Sequence, residues 1–113
     1  MTDRELLELA AEAAGIERRY YSDPTFGSGM IDDDPDGGLW NPLTDDADAF
    51  RLVVNLKITV EQSILENKVS AYVLCRQVKR HWVEISGCAD RAEATRRAIT
   101  RAAAEIGKQK EQP

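Results

Sequence analysis

Three alternating aspartates followed by a glycine come closest to a known chemical motif in this sequence. Asp32, Asp34, Asp36 and Gly37 match the opening of a calcium-binding loop, in which alternate carboxylates surround the cation and the glycine allows a sharp turn. The twelfth position of such a loop would be Leu43 instead of the glutamate that completes the coordination. The pattern therefore favours an exposed acidic turn over a metal site.

A second group with ligand chemistry consists of Cys75, His81, Cys88 and Asp90. Five and six residues separate the first three, which is not the spacing of a common zinc module. A Cys-His-Asp hydrolase would also need an oriented base and an oxyanion hole, and the sequence indicates neither. We therefore expect the two cysteines to be reduced core residues and predict neither a cofactor nor an enzymatic activity.

Basic residues near the C-terminus raise the alternative of nucleic-acid binding. A helix–three strands–helix order also occurs in double-stranded-RNA-binding domains, where the last helix begins with phosphate-gripping bases. Here that helix begins Cys-Ala-Asp-Arg-Ala-Glu, with acids in place of those bases. The sequence therefore makes nucleic-acid binding the less favoured alternative. Its candidate residues are Lys79, Arg80, Arg96, Arg97 and Arg101.

Aromatic and acidic residues between positions 17 and 43 suggest a protein-binding surface. This stretch holds most of the glycines and three of the four prolines, so we expect a long, mostly irregular loop with one extended segment at 18–21. Tryptophan and tyrosine often dominate binding interfaces, although Trp40 also suits a buried structural anchor. The partner-binding candidates are Tyr20, Tyr21, Asp32, Asp33, Asp34, Asp36 and Trp40.

Composition and charge limit the classes of protein to consider. The 113 residues are 42% hydrophobic and 31% charged, which predicts one folded domain over residues 1–108 and a frayed tail over 109–113. Bases and acids number one and four in residues 1–15, two and nine in 16–50, and twelve and seven in 51–113. No membrane-spanning run or secretory signal is evident, so we expect a cytoplasmic protein without membrane association.

Hydrophobic periodicity predicts the elements that would position these residues. Helices are expected over 1–15, where Thr2 and Glu5 form a capping box, and over 44–56, which we expect to face inward through Phe50, Val53 and Val54. Residues 58–86 alternate as a three-stranded meander, with strands at 58–64, 69–75 and 81–86 and a polar segment at 77–80. A last helix is expected over 90–107, ending at Gly107. The fold class is α+β, an antiparallel three-stranded sheet with helices packed on it as an α/β/α sandwich.

Three segments carry a resemblance to a known family. They are DRELLELAAEAAGI, LWNPLTDDADAFRLVVNLKI and ATRRAITRAAAEIG, which together span nearly the whole chain. On these segments the chain resembles small phage and prophage proteins of the phage ABA-sandwich domain family. The resemblance implies a phage origin and an α/β/α layering, and it carries over no catalytic residues. Lys57 stands where the family pattern has a glycine.

Together these observations favour a non-enzymatic phage accessory protein that binds, and so inhibits, a host or defence macromolecule in the bacterial cytoplasm. The acidic aspartates would then engage a basic groove on that partner. Nucleic-acid binding through the arginine-rich last helix and metal binding at the aspartates are the alternatives. A sheet edge or the alanine-lined last helix could also support a homodimer.

Overall fold

The computed structural model describes residues 2–16, 19–23, 27–31, 39–63, 65–73 and 78–111 of the chain. Side chains of a few residues at the ends of these ranges are left out of the description. The elements, in chain order, are helix α1 (Asp3–Ala14), strands β1 (Arg19–Asp23) and β2 (Gly27–Ile31), helix α2 (Asp46–Leu56), strands β3 (Thr59–Ser63), β4 (Lys68–Val73) and β5 (Val78–Glu84), and helix α3 (Arg91–Glu111).

The predicted helix starts are confirmed by their capping contacts. The Thr2 hydroxyl accepts from the Glu5 amide, and the Asp45 carboxylate accepts from the second and third amides of α2. At the start of α3 the Asp90 carboxylate accepts from the Glu93 amide at 2.8 Å. Gly15 ends α1 in the left-handed conformation.

The predicted end of the last helix is wrong. α3 continues through Gly107 to Glu111, four residues past the expected stop and into the tail that was expected to fray. A methyl group at Gly107 would lie 2.0 Å from the backbone oxygen of Leu9, so α1 and α3 approach closely there. The Lys110 ammonium also donates to the carbonyl of Ala13 at 3.2 Å, which ties the extra turn to the end of α1. Gly107 therefore permits close packing and does not terminate the helix.

The predicted inward face of α2 is wrong for Phe50 and Val54, whereas Val53 is partly buried and packs against the core. Phe50 is 66% exposed and Val54 is 56% exposed, whereas Ala49 and Leu52 are buried. Two apolar stripes compete on this helix, and the stripe with the smaller residues packs against the core. The larger aromatic side chain is consequently left at the surface.

Residues 17–43 contain a β-hairpin where the sequence predicted a mostly irregular loop. β1 and β2 pair antiparallel, with Tyr20 opposite Met30 and Asp23 opposite Gly27. Met30 also exchanges two backbone hydrogen bonds of 2.8 Å with Trp40. Gly-Ser-Gly is a poor strand sequence, but a methyl group at Gly29 would come within 2.9 Å of the Trp40 carbonyl. Tertiary contact therefore overrides local propensity here.

The second sheet is the predicted three-stranded meander, in the order β3–β4–β5. Both pairs are antiparallel, and the register of β4 with β5 shifts between Ala71 and Val73. β5 begins at Val78, so the segment at 77–80 that was expected to separate two strands belongs largely to the last one. Lys79 and Arg80 therefore lie in an edge strand.

The α+β class and the packing of helices on an antiparallel sheet are confirmed. α3 contacts β4, β5, α1 and α2, and it carries the alanines that let these elements come close. The core is one cluster that joins α3 to the buried faces of the other elements, including Leu7, Met30, Leu52, Val69 and Val83. The last helix in the chain is thus the central packing element.

One local prediction concerns Lys57, which follows α2 with φ 58° and ψ 44°. A side chain in this left-handed conformation costs about 1–2 kcal/mol, of which glycine avoids most. We expect Lys57→Gly to raise the free energy of unfolding by about 0.5–1 kcal/mol in urea denaturation, because glycine's greater unfolded-state entropy offsets part of the gain. Lys57→Ala keeps the β-carbon and is the control; equal stability of the two variants would contradict the explanation.

Candidate functional site

The aspartates proposed for partner or metal binding, Asp32, Asp33, Asp34 and Asp36, lie outside the described residues. Trp40 does lie within them and is only 5% exposed. Its backbone pairs with Met30, and its side chain belongs to the core cluster. A side chain buried this deeply does not present a surface to a partner. Of the two roles that the sequence allowed for Trp40, the structure therefore supports the structural anchor.

The two tyrosine candidates have different environments. Tyr21 is 40% exposed on β1. Tyr20 is half-buried, and the guanidinium carbon of Arg4 lies 5.3 Å from its ring centroid. Arg4 Nε donates a hydrogen bond to the Glu8 carboxylate, and this contact raises the pKa of Arg4. Of the two tyrosines, Tyr21 is therefore the more exposed.

Two arginines of the nucleic-acid alternative already have partners within the chain. Arg96 donates from Nε to the carbonyl of Leu43 at 2.9 Å and pairs with Asp46 at 2.8 Å, while its side chain is 18% exposed. Arg97 pairs with Asp3 at 3.1 Å. These contacts join α3 to the starts of α2 and α1, which gives both arginines a structural role. Arg101 is half-buried, and the side chains of Lys79 and Arg80 lie outside the description.

The metal alternatives find no support in the described part of the chain. No group of three or more histidine, cysteine or acidic side chains is placed to hold a metal ion there. Cys88 is a half-buried free thiol. Cys75 and the side chain of His81, which belong to the Cys-His-Cys grouping that the sequence disfavoured, lie outside the described residues.

An apolar groove between α2, β3 and α3 is the strongest candidate site. Its volume is about 540 Å³, within the range of binding pockets, and Phe50 stands exposed on its α2 side. Val53 lies beside Phe50, Val60 contributes from β3, and Ile99 contributes from α3. The complete lining is Asp46, Ala49, Phe50, Val53, Val60, Gln62, Arg91, Ala92, Thr95, Arg96 and Ile99. We call this surface the α2–β3 groove.

Polar contacts hold the walls of the α2–β3 groove in place. The bonds from Arg96 to Leu43 and Asp46 fix the start of α2 against α3. At the other wall Arg91 donates from Nη1 to Oε1 of Gln62 at 3.2 Å, which joins the start of α3 to β3. The groove is therefore formed by anchored elements.

Charge at the rim of the groove is unevenly balanced. The Arg96 guanidinium is neutralised by the Asp46 carboxylate. Arg91 is exposed, and its contact with Gln62 involves a neutral amide. That contact does not offset the positive charge, so the Arg91 end of the groove is suited to a carboxylate.

A second cleft, of about 560 Å³, lies between the hairpin and the start of α2. Its polar groups are largely occupied by internal contacts. Asn41 donates from Nδ2 to the Ser28 carbonyl at 2.6 Å and accepts from the Leu43 amide at 2.9 Å, while Asp45 caps α2. Asp3 pairs with Arg97. The cleft therefore resembles a junction between elements more than a binding site.

The face of the three-stranded sheet that carries Trp82 has mixed character. The Lys68 ammonium lies 4.7 Å from the centroid of the Trp82 ring, and its hydrogen bond to the Glu66 carboxylate raises the pKa of Lys68. Beneath them the buried hydroxyl of Ser70 has no hydrogen-bond partner among the described residues. This face combines a half-exposed aromatic ring with charged residues.

The α2–β3 groove was not predicted from the sequence because Phe50 and Val54 were expected to face the core. The alternative stripe of Ala49, Leu52 and Leu56, at spacings of three and four, was the available signal. Had that stripe been taken as the buried one, Phe50 would have been predicted at the surface.

In the described residues no helix is long and apolar enough to cross a membrane. Comparisons with protein-family models, curated proteins and solved structures found no match to this chain.

Proposed function

We propose that this protein is a non-catalytic binding protein that recognises another protein through the α2–β3 groove. The observation that carries the proposal is the 66% exposure of Phe50 beside a groove lined by further apolar side chains. Exposed aromatic residues next to apolar clefts are typical anchors of protein interfaces. The anchored walls also favour binding without large rearrangement of the groove.

The partner we propose is a host or defence-system protein in the bacterial cytoplasm, with inhibition as the outcome of binding. The support for this part is the sequence resemblance to phage proteins of the ABA-sandwich family. The internal pairing of Arg96 and Arg97 favours a protein partner over a nucleic acid, since paired guanidiniums are less available to phosphates.

Capture of a partner from host extract tests the proposal. We expect Phe50→Gln to weaken binding of the captured protein at least about tenfold, as is typical for loss of an aromatic anchor. Binding should be measured with the purified partner by titration calorimetry. Because Phe50 is exposed, the substitution should leave the free energy of unfolding within about 0.5 kcal/mol of the parent value.

Leu65→Gln is the matched control. Leu65 is 98% exposed in the turn between β3 and β4 and is absent from the lining of the groove. The Leu65→Gln substitution removes a similarly exposed apolar side chain outside the groove, so binding should be unchanged. Equal binding by the parent and Phe50→Gln would refute the proposed function.

A further inference from the structure

The α2–β3 groove runs beside an edge of the three-stranded sheet. In the described part of the chain β3 is an edge strand, with β4 as its one strand neighbour. An edge strand presents backbone N–H and C=O groups that can pair with an added strand. Val60 and Gln62, which alternate along β3, both line the groove. A segment lying in the groove would therefore meet backbone hydrogen-bonding groups on one side and apolar side chains on the other.

The two edges of this sheet differ in how well they are protected. β5 contains Lys79, Arg80 and His81, and its pairing with β4 has a register shift. Lysines and irregular pairing are common devices against unwanted strand addition. β3 has the sequence TVEQS, a continuous register with β4, and neither lysine nor proline. The less protected edge is the one that adjoins the groove.

The opposite wall of the groove suits an extended chain. α2 supplies Phe50 and Val53, and α3 forms the base with Ala92 and Ile99. Side chains of an extended segment point alternately to its two faces, so every second one would enter the groove. An edge strand, an adjoining groove and an apolar wall are together the features used in binding by strand addition.

We propose that the α2–β3 groove binds an extended segment of a partner protein as an added strand on β3. The segment carries apolar residues at alternate positions and a carboxylate that reaches Arg91. The carboxylate is inferred from charge: Arg91 contacts the neutral amide of Gln62, which leaves its guanidinium open to a carboxylate. With β3 five residues long, the paired part spans roughly 17 Å. This inference rests on the proposed function and specifies how its site is occupied.

Other occupants would use fewer of these features. A helix in the groove would cover Phe50 but leave the backbone of β3 unpaired. A second copy of the chain could pair its own β3 antiparallel with this β3. Glu61 would then be the one carboxylate that the added strand offers to Arg91. Both are outcomes that the following experiment can detect.

The experiment selects heptapeptides from a random displayed library on the immobilised full-length protein. The peptides enriched should have apolar residues at alternate positions and an aspartate or glutamate at one end. The best peptide is then synthesised in two series, each N-methylated at alternate backbone amides. We expect one series to bind at least about tenfold more weakly and the other to bind normally, because only alternate amides face the β3 edge.

Arg91→Gln tests the charged contact. Against the parent protein, replacing the peptide's acid with its amide should weaken binding about fivefold, since a charge-assisted hydrogen bond is lost at an exposed rim. Against Arg91→Gln, acid and amide peptides should bind equally. An unchanged preference for the acid would overturn the assignment of Arg91.

Several results would overturn strand addition while leaving the proposed function intact. These are full binding by both methylated series, apolar residues enriched at spacings of three and four, or a peptide-sensitive dimer in sedimentation. Selected peptides that bind Phe50→Gln as well as the parent would also overturn it. The proposed function fails separately, if the host partner itself binds Phe50→Gln normally.

Discussion

Replacing Gly107 with alanine is expected to lower the free energy of unfolding by about 3 kcal/mol, because overpacking against backbone costs more than side-chain overpacking usually does. The added methyl group would lie 2.0 Å from the carbonyl oxygen and 2.8 Å from the carbonyl carbon of Leu9. Both are backbone atoms of α1, so no side chain can rotate away. The helices would have to separate along their buried alanines.

The sign of this effect is informative. In an exposed helix, glycine to alanine stabilises by about 1 kcal/mol. Here the steric clash and the resulting loss of packing between α1 and α3 together must cost more than that gain. Urea denaturation followed by circular dichroism measures the change. Since small domains have a total stability of about 5–15 kcal/mol, the variant should unfold at a much lower urea concentration.

Gly87→Ala is the matched control for Gly107→Ala. A methyl group at Gly87 would meet no atom within 4 Å, so this variant should keep the parent stability within about 0.5 kcal/mol. If Gly107→Ala were as stable as Gly87→Ala, the close approach of α1 to α3 would be refuted.

Asn41→Ala is expected to lower the free energy of unfolding by about 2–3 kcal/mol. The Asn41 side chain donates to the Ser28 carbonyl at 2.6 Å and accepts from the Leu43 amide at 2.9 Å. Its own amide donates to the buried carboxylate of Asp48 at 2.9 Å. One residue thus joins β2, the Trp-Asn-Pro turn and the first turn of α2. Alanine would remove both side-chain hydrogen bonds, one of them to the buried Leu43 amide, at about 1 kcal/mol or more each.

Asn41→Asp separates the two side-chain bonds. An aspartate still accepts from the Leu43 amide but cannot donate to the Ser28 carbonyl, so we expect it too to be less stable than the parent. Asn55→Ala, at an exposed position of α2, is the control and should change stability by less than about 0.5 kcal/mol. Thermal denaturation followed by calorimetry compares the four proteins. Parent-like stability of Asn41→Ala would show that the junction does not depend on this side chain.

Local signals in the sequence predicted the parts of the fold that are determined locally. Thr2, Asp45 and Asp90 cap helices through contacts within three residues, which a sequence pattern can reveal. The alternation after position 58 likewise predicted the meander. Features that depend on distant residues were missed. Gly29 and Gly107 look like a turn and a stop until the backbones of Trp40 and Leu9 are known to lie against them.

The candidate site also depends on residues that are distant in the sequence. Whether Phe50 or Leu52 faces the core depends on how closely α2 approaches α3, and periodicity alone does not determine that distance. The roles of Arg96 and Arg97 depend on partners 50 and 94 residues away in the chain. Sequence reasoning could therefore identify candidate residue types but not decide which of them were already engaged.

The central position of α3 has a consequence for synthesis. α1 leaves the ribosome before α3, which is its main packing partner. Until α3 emerges, the leucines and alanines of α1 lack their main packing surface. The core can therefore close only after α3 is made, and a nascent chain stalled before α3 would be exposed to chaperones and proteases.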